Sequence, residues 1–135
     1  MSLSFLENLM KSLSNHYTFA PDIEISLEAN PDTIDKKKLK GFQQLGINRI
    51  SIGIQSLSDK DLKFLGRTHT ATRAIACIHE AQEIFKNISM DLIYARPHQS
   101  LKAWEKELSQ ALQFQLPHYS LYQLTIEENP PFERK

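Results

Sequence analysis

Between Asn48 and Leu57 the chain reads NRISIGIQSL, with isoleucines at 50, 52 and 54 alternating with Ser51, Gly53 and Gln55. That two-residue period predicts a strand with one apolar and one polar face. IEISLEANP repeats it: Ile23, Ile25 and Leu27 alternate with Glu24, Ser26 and Glu28 until Pro31 forbids continuation. NISMDLIYARP, ending at Pro97, and HYSLYQLTIEENPP supply two more strands. Between these segments the apolar spacing lengthens to that of helices. SFLENLMKSL places Ser4 three residues before Glu7, a capping box, and sets Phe5, Leu6, Leu9, Met10 and Leu13 on one stripe. Further helices are predicted over Asp35–Leu45, closed by Gly46, over a short piece at Asp59–Leu65, over Thr72–Phe85, and through SLKAWEKELSQALQF.

Strands alternating with helices of this length imply an α/β domain whose strands run parallel through crossover helices. The helices must cover one face, and Ile50, Ile52 and Ile54 supply it. The other face then carries Glu24, Ser26 and Glu28 on one strand, Ser51, Gly53 and Gln55 on the next, and Ser89 and Asp91 on the third. A closed barrel fills its interior with aliphatic layers, so a wall this polar predicts a wide, open, parallel-stranded partial (β/α) barrel that holds a polar ligand. Ser26, Ser51 and Ser89 equally suit small residues at crowded positions, and Glu24 suits a solvated bottom rim. Glu28, Gln55 and Asp91 are the candidate ligand contacts, because buried carboxylates and amides are costly without partners. Arg67, in GRTH, fits either a ligand carboxylate or a surface ion pair.

Composition narrows the partners. The 135 residues hold 16 basic and 16 acidic side chains, a formal net charge of zero, so there is no electrostatic footprint for nucleic acid. The run Lys36–Lys38 precedes the apolar spacing Leu39, Phe42, Leu45 and reads as the wet face of a helix. No stretch approaches the ~20 apolar residues of a membrane span, and the first twenty residues, without a basic start, an apolar run and a cleavage site, are not expected to act as a secretory signal. Cys77 is the single cysteine, so no internal disulfide can form; a reducing compartment, the cytoplasm, is expected. His16, His69, His79, His98 and His118 share no motif and read as surface or internally satisfied histidines rather than haem ligands.

Five segments in order, LEANP, GINRISIGIQSL, LKFLGRTH, MDLIYARP and YSLYQLTIEENPPF, resemble the radical S-adenosylmethionine proteins of the oxygen-independent coproporphyrinogen III oxidase-like group (HemN/HemW), nearer to the HemW branch. The resemblance covers essentially the whole chain and implies a radical S-adenosylmethionine core built as a partial barrel of βα units. It implies that Glu28 contacts the ammonium group of S-adenosylmethionine, that Gln55 and Arg67 contact its nucleoside and carboxylate, and that Asp91 accepts from cofactor hydroxyls. Thr125 falls where the oxidase branch makes a further cofactor contact, with a different residue type here. Carboxylates accept from ammonium and hydroxyl donors, and a guanidinium pairs with carboxylate as a fork, so the chemistry of each position agrees.

The departures shape the functional expectation. The family's CxxxCxxC motif, which holds a 4Fe-4S cluster, has no counterpart in this sequence, nor does the glycine-rich GGGTPS segment; ARP at 95–97 replaces the usual glycine-leucine-proline and is expected to put a long cation near the site mouth. The resemblance therefore implies the middle of such a protein, residues 1–135 forming one incomplete core domain, with no cluster expected in this chain and weak S-adenosylmethionine binding. Haem or a porphyrinogen enters as a partner only through the family. Two other classes stay open: a non-catalytic haem- or nucleoside-binding module, and one half of a split enzyme completed by an N-terminal chain that carries the cysteines. Self-association through an unpaired sheet edge is also expected.

Overall fold

The computed structural model describes residues 2–125. Nine elements follow one another along the described residues: α1 (Leu3–His16), β1 (Ser26–Ala29), α2 (Lys36–Gln44), β2 (Arg49–Gln55), α3 (Asp59–Phe64), α4 (Ala71–Gln82), β3 (Asn87–Tyr94), α5 (Leu101–Leu112) and β4 (His118–Gln123). The strands form one sheet in the order β1-β2-β3-β4, and every neighbouring pair is parallel. This is the α/β, parallel-stranded arrangement expected from the sequence. The predicted continuation of the last strand beyond residue 125 lies outside the described residues.

The helices share one core with the isoleucine face. Ile50, Ile52 and Ile54, with Met90 and Leu92 beside them, are fully buried, and against them pack Leu6 of α1, Leu39 and Phe42 of α2, Ala74, Cys77, Ile78 and Ala81 of α4, and Ala111 of α5. Local caps place these helices. Asp35 accepts from the Lys38 amide at 2.8 Å, Thr70 from Arg73 at 3.2 Å and Ser100 from Ala103 at 3.2 Å, each satisfying an amide that has no intrahelical partner. Gly46, at φ +96, turns the chain from α2 into β2 through the left-handed region.

Two local expectations shift. The cap of α1 is Ser2, whose hydroxyl accepts from the Phe5 amide at 3.2 Å, rather than Ser4. The helix then turns Leu3, Leu6 and Met10 onto the core and leaves Phe5 and Leu9 exposed. Leu3 lies so close over α2 that a Cβ on Gly41 would come within 2.7 Å of it, so glycine permits the approach of the two helices. The first strand also starts later than its alternation suggests. The Asn48 side chain accepts from the Ile25 amide at 2.8 Å and donates to the Ile23 carbonyl at 2.7 Å, standing in for ladder bonds before Ser26.

Candidate functional site

The polar positions of successive strands fall into rows across the face opposite the helices. Glu28 pairs with Ser51, Ser51 with Ser89, and Ser89 with His118; one step further along, Asp91 pairs with Ser120. Ser51 donates its hydroxyl to Asp91 Oδ1 at 2.9 Å, so one carboxylate oxygen is held by the sheet and the other has no hydrogen-bond partner among the described residues. Ser89 is fully buried and lies 2.9 Å from His118 Nδ1 and 3.2 Å from Ser120 Oγ. The serines are thus both small residues at crowded positions and the links that orient Asp91 and His118. Glu28 stands exposed at the β1 side of the wall. Glu24 is exposed below it, near Arg49 and accepting from Ser26 at 2.9 Å, as a bottom-rim residue should be.

Gln55 reaches the same face by an irregular route. The β2–β3 register shifts between Ile52 and Gln55, and Gln55 takes φ +68, a left-handed conformation that a non-glycine residue adopts only against a steric cost. Strict alternation past such a bulge would not place its side chain. The placement shows in the neighbouring glycine: a Cβ on Gly53 would come within 3.0 Å of Gln55 Nε2, so the amide lies back over Gly53 on the polar wall. Glu28, Gln55 and Asp91 therefore share one face.

Arg67 and Thr125 do not share these rows. Arg67 follows Gly66 (φ +67) in the loop between α3 and α4, half-buried, and has no acidic partner among the described residues, since the ion pairs there go to His69, Arg73 and Arg96. Thr125 is exposed, two residues past the end of β4.

Further polar side chains surround the carboxyl ends of the strands. Arg96, expected near the site mouth, is instead 5% exposed, because Glu107 from α5 and Asp61 from α3 neutralise it under the rim at 2.5 and 3.1 Å. Trp104 and Ala111 mark the core face of α5, and Glu107 falls between them on that face, where a carboxylate needs a cation. His69, read as surface or satisfied, is buried with Nε2 3.1 Å from the Ile54 carbonyl and Nδ1 4.0 Å from Asp32. Asp32 also accepts from Thr68, which ties the loop after β1 to the loop after α3. Arg73 braces the same β1 loop by donating to the Pro31 and Ile34 carbonyls at 3.1 and 2.5 Å while Glu80 holds it from behind.

The wall suits a polar organic cofactor, but the residues present do not suit an iron–sulfur cluster. Cys77 is fully buried in α4 on the core side of the sheet, and burial pushes its thiol up to about 11, opposing the thiolate a metal would need. Among the described residues no three His, Cys, Asp or Glu side chains converge as metal ligands, and no helix is long and apolar enough to cross a membrane.

Comparison with known proteins adds to this geometry. The model of the radical SAM superfamily matches residues 3–111. The chain is 45% identical over 139 aligned positions to a radical S-adenosyl methionine domain-containing protein 1, mitochondrial, of Dictyostelium discoideum, covering 98% of this chain and 31% of that protein. It is 42% identical over 125 positions to the heme chaperone HemW of Haemophilus influenzae, covering 92% and 33%. Among solved structures, the coproporphyrinogen III oxidase HemN of Escherichia coli, a radical SAM enzyme, superposes with a TM-score of 0.84 at 26% identity over 93% of this chain and 29% of that one. The chain thus spans about a third of the length of these relatives.

Proposed function

The chain belongs to the radical SAM superfamily, and from that premise we propose that it forms the S-adenosylmethionine-contacting wall of a HemW/HemN-like protein of haem metabolism. The observation that carries this reading is the polar sheet face, opposite the helices, on which Glu28, Gln55 and Asp91 lie together. In this reading the Glu28 carboxylate accepts from the ammonium of S-adenosylmethionine. The second carboxylate oxygen of Asp91 accepts from ribose hydroxyls, and the Gln55 amide meets the nucleoside. Arg67 pairs with the cofactor carboxylate from the rim, and Thr125 adds a contact past β4. The 135 residues act as part of one core domain.

Family members use S-adenosylmethionine together with a 4Fe-4S cluster, and this sequence carries one cysteine, so we assign the cluster's thiolates to residues outside it. Held by such thiolates, a cluster would supply the electron for cleavage of S-adenosylmethionine; the residues here would bind and orient the cofactor. We place the protein in the cytoplasm on the strength of the HemW likeness and the single cysteine, although several relatives are named as mitochondrial. Haem or a porphyrinogen is the further partner that the HemW and HemN likenesses suggest.

Titration with S-adenosylmethionine, followed by amide chemical shifts, tests the reading. Shifts at Ser51, Gln55 and Asp91 with a dissociation constant of about 1 mM or weaker are expected, because an isolated wall encloses little of the ligand. No shift up to several millimolar, with stoichiometric haem binding by absorbance, would replace it with a haem-binding module. Anaerobic reconstitution with iron and sulfide is expected to leave this chain without a stoichiometric four-iron cluster; its assembly would refute the assignment of the thiolates elsewhere.

A further inference from the structure

The strained conformation of Gln55 has a visible brace. Arg96 donates to the Ile93 carbonyl at 2.6 Å and approaches the Gln55 carbonyl at 3.4 Å, while its other terminal nitrogen lies between Asp61 and Glu107. Glu107 in turn accepts from Ser56 Oγ at 2.5 Å and from the Leu57 amide at 2.8 Å with its second oxygen. Three consecutive residues, Gln55, Ser56 and Leu57, are thereby held by one buried ion pair. The same guanidinium also grips the end of β3, where Ala95 takes φ +58 immediately before it. A left-handed non-glycine residue persists only where its surroundings over-determine it, and here the surroundings are these two side chains.

We infer that Arg96 and Glu107 are a positioning pair for ligand binding: they set the left-handed Gln55 that lays its amide over Gly53 on the polar wall. Neither touches the ligand. The guanidinium fork supplies geometry that an aliphatic side chain at this position cannot. Lysine cannot either, because one ammonium does not reach two carbonyls and two carboxylates in a fixed plane. The inference rests on Gln55 being a ligand contact, and its test separates the two.

The variant R96M/E107Q removes both charges together, which avoids leaving one buried and unpaired, and the side-chain carbonyl introduced by E107Q still accepts from Ser56 and Leu57. In the ligand-free chain, the one-bond Cα–Hα coupling of Gln55 distinguishes positive from negative φ, and the variant is expected to lose the positive-φ value. The initial slope of the S-adenosylmethionine titration is expected to fall at least about fivefold. In a Q55A background the same change is expected to cause no further loss. R96K, which retains the charge but not the fork, is expected to behave like the double variant and carries the test if that variant does not fold. Retention of positive φ at Gln55 in either variant would overturn the inference whether or not S-adenosylmethionine binds. A loss of affinity that persists undiminished in the Q55A background would also overturn it. A wild-type chain that shows no titration at all would instead count against the binding reading, with the coupling at Gln55 still deciding the brace.

Discussion

Replacing Gly53 with alanine should separate stability from ligand binding. Gly53 lies on the polar face of β2, outside the left-handed region, so alanine meets no backbone penalty there. Its new Cβ would come within 3.0 Å of Gln55 Nε2 and 3.7 Å of the Ala29 carbonyl. The first contact is too close and the second is ordinary. The atom in the way is the far end of a flexible side chain, which can swing aside at about 0.5–1.5 kcal/mol. Against that, alanine restricts the unfolded chain and contributes about 0.4–1 kcal/mol of stability. The two nearly cancel, so G53A should unfold within about 1 kcal/mol of the wild type in urea. One residue earlier, Ile52→Ala removes three carbons from a fully buried site, ~0.8 kcal/mol each, and adds a cavity, for a total loss of about 2–5 kcal/mol. G53A should nevertheless depress the initial slope of the S-adenosylmethionine titration several-fold, because the displaced amide is the proposed contact. A G53A protein destabilised by more than about 2 kcal/mol, or one with an unchanged titration, would refute this placement of Gln55.

Glu28→Gln, at an exposed strand position, should change stability by no more than about 0.5 kcal/mol yet weaken S-adenosylmethionine several-fold in the same titration, since a neutral amide no longer attracts an ammonium. Cys77 is held protonated to about 11 by burial, against an ordinary value of 9.0. The stability this contributes is fully present below about pH 9 and is lost as pH rises through 11, which thermal melts across that window should show. At pH 8 the native thiol should resist iodoacetamide and react on addition of urea; rapid native alkylation would contradict its burial. With β1 at one edge of the described sheet, the chain should self-associate in sedimentation, and a monodisperse monomer would count against an exposed edge.

Much of this architecture was written in local pattern. Period-two alternation placed Ile50, Ile52 and Ile54 on the helix side and Ser51, Ser89 and Asp91 opposite, because adjacent side chains on a strand must point to opposite faces. The helix beginning near Asp35 and the run of buried positions in α2 and α4 followed from apolar spacing. What the pattern could not supply were features made by residues distant in sequence. The cap at Ser2 and the selection of Leu3, Leu6 and Met10 over Phe5 and Leu9 depend on where α2 lies, through its glycine at 41. His69 is buried because the Ile54 carbonyl and Asp32 converge on it from two other segments. Arg96 reads as an exposed cation in ARP until Glu107, 11 residues later on another element, turns it inward. Gln55 shows the division within a single residue. Alternation assigned it to the polar face, but a bulge and a left-handed backbone intervene, and only the tertiary contacts around 55–57 return its amide to that face. Sequence periodicity determines which side chains can share a surface; the pairing of buried charges between elements decides where the backbone leaves the period.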